Sequence, residues 1–275
     1  MHKLPIKVIT PERTSLVQFF KDFVKYRNLF ALLFWRDINV RYRQTVIGLF
    51  WVILQPIVSA AIFAFVFGRL VHIPSDGLPY VVFAYSGTVI WGLFSQGVDR
   101  AAGSILADEQ MITKVYFPRW ILPLASVGGT FLDFSVSAVV LFLITFYFQL
   151  YPGWHILLFV PAVGLVLALT ASVGTSVAML CAKYRDFRFL ANFCLQVFVF
   201  ASPVFYTLGM FHQNTLWVAY LNPLAGPIEL FRLGVIGTGH FYPLGFMLSL
   251  TMELLVLLIG LRIVYELEDD LIDTI

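Results

Sequence analysis

Two acidic residues stand inside long apolar stretches and are the side chains best suited to chemistry. Asp133 lies in the stretch 121–149 and Glu253 in the stretch 244–264, and each stretch is long enough to cross a bilayer. A carboxylate at membrane depth marks an ion path, a proton relay or a structural hydrogen bond. Each carboxylate stands alone in its stretch, whereas an ion-coupled carrier needs more polar groups. We therefore favour a packing or hydrogen-bonding role for both.

The motifs of common enzymes and nucleotide-binding proteins are missing from the sequence. It contains no G-x-x-x-x-G-K-[ST], no H-E-x-x-H and no G-x-S-x-G. Four of the five histidines are scattered singly through different loops, and the two cysteines, Cys181 and Cys194, are too few for a disulfide framework. We expect no catalytic centre, no metal site and no cofactor in this chain.

The elements that must position these residues are membrane-spanning helices. Of 275 residues, 60% are hydrophobic and only 12% are charged, about half the roughly 25% of a soluble domain. A bilayer crossing needs about 20 apolar residues. Six stretches qualify: 48–70, 79–98, 121–149, 156–182, 189–208 and 244–264. We predict an all-α integral membrane protein with six transmembrane helices.

Basic residues are confined to alternate connecting segments. Residues 1–47 hold nine Lys and Arg residues, and segments 99–120 and 183–188 hold three each, whereas loops 71–78 and 150–155 hold none. The positive-inside rule therefore predicts that both termini and both basic loops are cytoplasmic. There is no leading apolar core, so we expect no cleaved signal peptide.

Three regions follow from this topology. We predict a cytoplasmic N-terminal arm over 1–47, a six-span domain over 48–264 and a cytoplasmic tail over 265–275.

Two cytoplasmic segments have helical patterns. Residues 14–34 open with a capping box, Ser15 to Gln18, and predict an amphipathic helix at the membrane surface. This helix is either a plain anchor or also a contact for a cytoplasmic partner. Residues 104–116 predict a short helix, which Pro118 ends. A helix held between two spans transmits force from the cytoplasm into the membrane.

An irregular segment precedes the last span. Residues 215–237 contain two apolar pieces, each too short to cross, with breaks at Asn222-Pro223 and Gly226-Pro227. Such lengths predict a re-entrant hairpin on the outer side, between spans five and six. Glu229 and Arg232 are three residues apart, a spacing that favours an ion pair on one helix face.

Small residues recur every three or four positions along span four. They are Gly164, Ala168, Ala171, Thr175 and Ala178. This spacing predicts a ridge for close helix contact.

Four ordered stretches resemble the permease subunit of polysaccharide ABC exporters. They are "WRDINVRYRQTVIGLFWVILQP" (35–56), "ITKVYFPRWILPLA" (112–125), "AKYRDFRFLANFCLQVFVFASPVFY" (182–206) and "LNPLAGPIELFR" (221–232). The likeness is strongest to the O-antigen type (Wzm-like), with teichoic-acid exporter permeases as near relatives. It implies export of lipid-linked polysaccharide from the cytoplasm across a bacterial inner membrane.

The resemblance also implies partners. It implies a homodimer bound to two copies of an ABC ATP-binding subunit, which would hold ATP and Mg. The chain itself would be a transport subunit without a nucleotide site, and no nucleic acid would be involved.

Four groups of residues are the expected functional sites. The ATPase-coupling group, around a segment that resembles the family's coupling helix, is Asp108, Glu109, Met111, Lys114, Tyr116, Arg185 and Asp186. Basic residues near the membrane attract anionic headgroups, and the group expected to receive the lipid diphosphate is Arg36, Arg41 and Arg43. The glycan channel group is Trp51, Phe63, Phe198, Phe205 and Tyr206. The outer hairpin group is Asn222, Pro223, Gly226, Pro227, Glu229 and Arg232.

Other functions stay open from the sequence. The cargo could be a teichoic acid or a capsular glycan instead of an O-antigen. An ion-coupled secondary carrier would use Asp133 or Glu253, and an intramembrane lipid-processing enzyme would need a catalytic constellation that the sequence does not contain.

Overall fold

Helices form almost all of the described chain, and no strand occurs within it. The computed structural model describes residues 16–42, 48–70, 75, 77–115, 117–212, 215–237 and 241–274. The α-helices in these residues are α1 (Leu16–Tyr42), α2 (Gly48–Phe63), α3 (Tyr80–Ala107), α4 (Glu109–Ile112), α5 (Ile121–Tyr147), α6 (Phe159–Lys183), α7 (Phe187–Ala201), α8 (Leu216–Ala219), α9 (Ala225–Ile236) and α10 (Pro243–Thr274). A π-helical stretch, Ala64–Leu70, continues α2, and 3₁₀ helices at Gly153–Leu158 and Leu208–Met210 precede α6 and α8. The predicted all-α class is confirmed.

Five helical stretches among the described residues are long and apolar enough to cross a membrane. They are Ile53–Leu70, Tyr80–Ala107, Ile121–Tyr147, Gly153–Lys183 and Pro243–Glu268. They coincide in order with five of the six predicted spans. The chain is therefore a multi-pass membrane protein.

The remaining predicted span, 189–208, is divided in the structure. Helix α7 ends at Ala201 after 15 residues, about 22 Å at 1.5 Å per residue, which is short of the ~30 Å hydrocarbon core. Pro203 explains the stop, because a proline ring pushes the preceding residue out of the helical region. Ser202 is accordingly extended, with φ −97° and ψ 146°.

Helix α3 is the centre of the bundle and packs most closely on α6. Gly97 of α3 lies against Thr170 of α6, and a Cβ added to Gly174 of α6 would lie 2.9 Å from the Cβ of Ala101. Small residues at such points let two backbones approach within membranes. The predicted small-residue ridge on this helix is only partly correct, because Gly164 is exposed and has no neighbour within 4 Å of an added Cβ.

These contacts show that α3 and α6 run parallel, so their C-terminal ends lie at the same end of the bundle. We call this the basic end, because the basic segments that follow α3 and α6 lie there. Helix α5 begins at the basic end, and α1 packs against α5.

Helix α1 is longer than predicted and is amphipathic. The side chains of Phe23, Tyr26, Phe30 and Leu33 recur at helical spacing and pack in a cluster around the buried Trp120. Leu33 is fully buried. The helix continues to Tyr42 instead of ending near residue 34. In this added part, Asp37 accepts a hydrogen bond from Ser126 of α5.

The short helix predicted over 104–116 is placed differently. Residues 104–107 complete α3, and α4 contains only Glu109–Ile112. Asp108 separates the two helices with φ −110° and ψ 24°. Pro118 therefore does not end α4, which stops at Ile112. Helix α3 extends to Ala107 because its last turns are still packed in the bundle, where Ser104 and Ile105 are buried.

The segment before α10 contains two short helices, and only one of the two predicted breaks separates them. Asn222-Pro223 separates α8 from α9, whereas Gly226-Pro227 lies in the first turn of α9. A proline is tolerated there because the first backbone N–H groups of a helix have no intrahelical acceptor. Helix α9 is buried along almost its whole length. It ends at Ile236, and the next residue is Gly237, whose φ of 77° favours glycine.

Candidate functional site

Four side chains join α1 to the basic end of the bundle. The Arg36 guanidinium on α1 donates to both carboxylate oxygens of Asp108, at 2.8 Å from Nη1 and 2.5 Å from Nη2. It also donates to Oδ1 of Asp37, at 3.0 Å from Nη2. The other carboxylate oxygen of Asp37 accepts a hydrogen bond from Ser126 of α5 at 3.1 Å. We call these four residues the α1 clasp.

The α1 clasp brings together residues that were predicted for two different roles. Arg36 belongs to the group expected to receive the lipid diphosphate, and Asp108 belongs to the coupling group. The hydrogen bond to Asp108 is the main cause that raises the pKa of the Arg36 guanidinium above its usual value. Bidentate arginine–carboxylate pairs are geometrically specific, so the clasp holds α1 in one position relative to α3 and α4.

The other described members of the coupling group lie around the same end. Glu109 and Lys114 are exposed, whereas Met111 is half-buried against the cluster that contains Trp120. Arg185 and Asp186 are exposed between α6 and α7. The local ion pair that their proximity in sequence suggested is not found between these two described residues.

Some predicted residues lie beyond the described side chains. Tyr116 and Arg43 lie outside the described residues, and Arg41 and Trp51 are described only as backbone positions of α1 and α2.

Two of the aromatic residues predicted for a channel, Phe63 and Phe205, stack on each other within the protomer. The rings of Phe63 and Phe205 are stacked with centroids 3.8 Å apart, and Phe205 is buried. Phe198 contacts Trp91 of α3 at a centroid distance of 6.0 Å. Tyr206 is half-buried, and its hydroxyl donates to the Ala201 carbonyl at 3.0 Å.

The aromatic side chains that are exposed on α7 and just after α2 are not those of the predicted channel group. Phe193 and Phe200 of α7 and Phe65 at the end of α2 are each more than half exposed. Helix α7 has no buried residue in the protomer. The sequence did not distinguish the inner stack from this exposed set.

Arg232 connects three parts of the end opposite the basic end. Its Nη1 donates to Glu229 at 3.1 Å, its Nη2 donates to the Val204 carbonyl at 2.7 Å, and its guanidinium lies 3.8 Å from the ring centroid of Phe83. The side chains of both charged residues are at most 9% exposed. The spacing-predicted ion pair is present and joins α9 to α3 and to the segment after α7. Gly87 makes this approach possible, since an added Cβ would lie 2.9 Å from Nη2 of Arg232.

Asn222 ties the end of α7 to the start of α9. Its Nδ2 donates to the Ala201 carbonyl at 3.0 Å and to the Ser202 hydroxyl at 2.9 Å, while its Oδ1 accepts from the Leu224 N–H at 2.9 Å. The hydroxyl of Ser249 on α10 accepts from the Gly226 N–H at 3.0 Å. The described residues of the outer hairpin group therefore hold α7, α9 and α10 together.

Sequence reasoning missed an ion pair in the middle of the bundle. Arg100 was assigned to a cytoplasmic loop, but it lies on α3, and its Nη2 is 2.5 Å from Oδ2 of Asp133 on α5. The Asp133 side chain is 5% exposed and that of Arg100 is 26% exposed. The structural role favoured for Asp133 is thus supported by a specific partner. The sequence did contain an indication of this position. Gln96 and Arg100 are four residues apart, the spacing of one helical turn, so the helix could have been predicted to continue past residue 98.

Glu253 is the other carboxylate within a span. It lies on α10 and is 1% exposed. Neither of its carboxylate oxygens has a hydrogen-bond partner among the described residues.

Residues 28–236 match the family described as "ABC-2 type transporter". The chain belongs to the ABC-2 type transporter membrane family. The matched residues run from α1 to the end of α9 and so include the α1 clasp, the Arg100–Asp133 pair and the Asn222 and Arg232 contacts, whereas Glu253 lies beyond them.

Several curated relatives of this ABC-2 chain are named for glycan transport. The O-antigen export system permease protein RfbA of Myxococcus xanthus is 26% identical over 212 residues, covering 76% of this chain and 80% of the relative. A protein of the same name from Klebsiella pneumoniae is 28% identical over 224 residues, covering 78% and 85%. The polysialic acid transport protein KpsM of Escherichia coli is 22% identical over 208 residues, covering 74% and 79%.

Membership of the ABC-2 family gives the chain a place in a larger assembly. It is a transport subunit that works with an ATP-binding subunit.

Proposed function

We propose that this chain is the membrane-spanning permease of an exporter that moves lipid-linked polysaccharide of the O-antigen type out of the cytoplasm. The observation that carries the proposal is the similarity to O-antigen export permeases over more than three quarters of the chain. The protein would lie in the bacterial inner membrane with both termini in the cytoplasm, because the basic segments share one end of the bundle. ATP and Mg would bind to the partner subunit.

The sixth crossing would be made by α7 together with the segment 202–208. Non-helical backbone at membrane depth is tolerated where protein covers it. The Asn222 contacts with Ala201 and Ser202 supply such cover at the point where α7 ends. Helices α8 and α9 would then form the outer re-entrant hairpin.

Two copies of the chain would form the transport path between them. Helix α2 and helix α7 are the least covered spans of the protomer, and the exposed rings of Phe65, Phe193 and Phe200 lie on them or at their ends. Aromatic faces stack weakly on sugar rings, which suits a polymer that must slide. The predicted channel residues Phe63, Phe198 and Phe205 would support this surface from behind.

At the basic end, ATP-driven closure of the partner subunits would act on α4 and the exposed residues beside it, Glu109 and Lys114. The α1 clasp would transmit this movement to α1, because Asp108 connects α3 and α4 and binds Arg36. Arg41 and Arg43, which follow Arg36 in the sequence, would remain to attract the lipid diphosphate.

A depletion strain tests the proposed function. Cells that lose this protein should accumulate full-length lipid-linked glycan on the cytoplasmic leaflet, which fractionation and surface labelling detect. Surface glycan at the normal level, in a strain without a second exporter, would contradict the proposal.

One specific observation favours a second cargo. The similarity to the polysialic acid transport protein KpsM favours a polysialic acid as the alternative. Sugar analysis of the trapped lipid-linked glycan distinguishes the two cargoes.

A further inference from the structure

We propose that a polar pocket between α2, α3 and α5 is a binding subsite for the hydroxyl groups of a neutral sugar in the transported chain. The inference rests on the proposed function, because it names the part of the cargo that this pocket receives. It concerns residues that the aromatic channel group does not include.

The pocket is formed by two facing polar rows. On α3, Thr88, Gly92, Gln96 and Arg100 follow one another at every fourth position, a row about 18 Å long at 1.5 Å per residue. On α5, the facing polar residues are Thr130, Asp133 and Ser137. The cavity volume is about 120 Å³, well above the ~10–15 Å³ that a single water needs. It therefore accommodates the hydroxyl-bearing edge of a sugar ring.

The chemistry of the lining suits hydroxyl groups. The hydroxyls of Thr88 and Ser137 donate to carbonyls of their own helices, at 2.9 Å and 3.0 Å, so their oxygen lone pairs remain as acceptors. Glutamine amides both donate and accept, and Gln55 of α2 and Gln96 both line the pocket. The ring of Phe134 adds an apolar wall, which matches the C–H face of a sugar.

The charge of the pocket selects against the diphosphate of the lipid carrier. Arg100 and Asp133 are 2.5 Å apart, so the pair is neutral as a unit. An anionic group that approached Arg100 would also meet the Asp133 carboxylate, which repels it. A neutral polyhydroxyl group meets no such opposition and pairs with both charges.

The pocket opens towards the least covered side of the protomer. Gln55 and Gln96 are exposed, whereas Thr130 and Asp133 at the base of the pocket are buried. Gln55 lies on α2, one of the two helices proposed to border the path between subunits. Polar side chains within spans mark substrate pathways, and a chain that passes along α2 reaches this opening.

Site-specific photo-crosslinking in exporting cells tests the inference. A benzophenone amino acid would replace Gln55 or Gln96, and in control variants Val139 or Thr251, which are exposed on α5 and α10 outside the pocket. A third pair of variants carries the probe at Phe193 and Phe200. We expect crosslinks to the labelled glycan at positions 55 and 96 and none at 139 and 251.

The outcomes separate this inference from the proposed function. Crosslinks at 193 and 200 without any at 55 and 96 would overturn the subsite and leave the exporter assignment standing. Crosslinks at none of these positions, in cells that still produce the glycan, would overturn both.

A second variant fills the pocket without removing any of its polar groups. A Cβ added to Gly92 meets only Nε2 of Gln96, at 3.5 Å, so Gly92→Leu should fold while its side chain occupies the pocket. The leucine side chain would exclude the sugar and so remove its hydrogen bonds with the pocket. At the usual strength of such bonds, export should fall about threefold to tenfold. The matched control is Gly164→Leu, at an exposed glycine on α6. Equal export by the two variants at equal protein levels would contradict the subsite.

Discussion

At the scale of single residues, the charged pairs inside the bundle hold neighbouring segments together. Arg232 binds Glu229 and the Val204 carbonyl, and Arg100 binds Asp133 on another helix. Burying two charges is costly, and removing one partner of such a pair costs more than the pair contributes. Each pair therefore specifies which segments meet, and each is sensitive to the loss of one member.

Arg232→Leu should strongly destabilise the protein. The substitution removes the guanidinium that faces the buried Glu229 carboxylate, and breaking a buried ion pair costs about 3–5 kcal/mol in comparable cases. Thermal unfolding of the purified protein in detergent measures the change. The control is Arg262→Ala, which breaks the exposed pair with Glu266 and should leave the melting temperature nearly unchanged. Similar melting temperatures for the two variants would show that the buried pair does not stabilise the fold.

At the scale of elements, two contacts position the helices that matter for transport. The α1 clasp fixes α1 on the basic end, and the close approach of α3 to α6 fixes the core of the bundle. The first contact depends on complementary charge. The second depends on the absence of side chains at Gly97 and Gly174.

Reversing one charge of the α1 clasp should uncouple glycan export from ATP hydrolysis, and exchanging both charges should restore the coupling. Arg36→Asp alone places three carboxylates together, and we expect export per ATP hydrolysed to fall about tenfold, as for contacts with a coupling energy near 1.4 kcal/mol. The double variant Arg36→Asp, Asp108→Arg should recover most of this loss, because the guanidinium introduced at position 108 meets the carboxylate introduced at position 36 and that of Asp37. The measurement is ATP hydrolysis and glycan export by the reconstituted complex.

The same exchange at Arg262 and Glu266, an exposed pair on α10, is the control and should leave the ratio unchanged. A double clasp variant that stays as impaired as Arg36→Asp alone would argue against transmission through this ion pair.

Gly97→Leu should weaken the contact between α3 and α6. A side chain at this position overlaps Thr170, and overpacking of a well-packed contact costs about 1–3 kcal/mol. Gly164→Leu adds the same group at an open position of α6 and serves as the control. The two variants are compared by the fraction that stays monodisperse after heating. Equal monodisperse fractions for the two variants would mean that α3 and α6 can move apart without loss of stability.

At the scale of the whole molecule, one side of the protomer is left uncovered. The span that includes α2 is largely exposed along its length, and α7 contains no buried residue. The exposed faces of α2 and α7 are apolar and aromatic. A second copy that packs beside these helices would enclose a path, and the pocket that contains Arg100 and Asp133 would open towards it. The dimer proposed above would cover these two helices.

The single exposed cysteine among the described residues offers a direct test of the dimer. Cys194 lies on the uncovered α7, whereas Cys181 is buried. A homobifunctional maleimide added to membranes should convert the protein to a species of twice the mass on a denaturing gel. Cys194→Ser should abolish this product, and Cys181→Ala should not. A monomer band that persists under full modification of Cys194 would place α7 away from the dimer interface.

The predictable part of this protein follows from local pattern. Apolar stretches such as 121–149 exceed the thickness of a bilayer, and the backbone must then be helical because lipid offers no hydrogen-bond partners. The pairing of Glu229 with Arg232 also follows from spacing within one helix. Residues 28–236 contain enough ordered motifs to indicate the family.

Partners from distant parts of the sequence were decided only by the tertiary structure. Arg36 and Asp108 are 72 residues apart in sequence, and no local pattern indicates that they share two hydrogen bonds. The sequence places Arg100 among loop residues, and only the packing of α3 against α5 brings it to Asp133. Likewise, Phe205 is buried and Phe200 is exposed, although both are aromatic and lie five residues apart. The sequence by itself determined which long stretches are apolar and helical, because that depends on each residue and its near neighbours. The packing of the helices decided where α3 ends and which faces meet, because side-chain burial and pairing depend on contacts across the bundle.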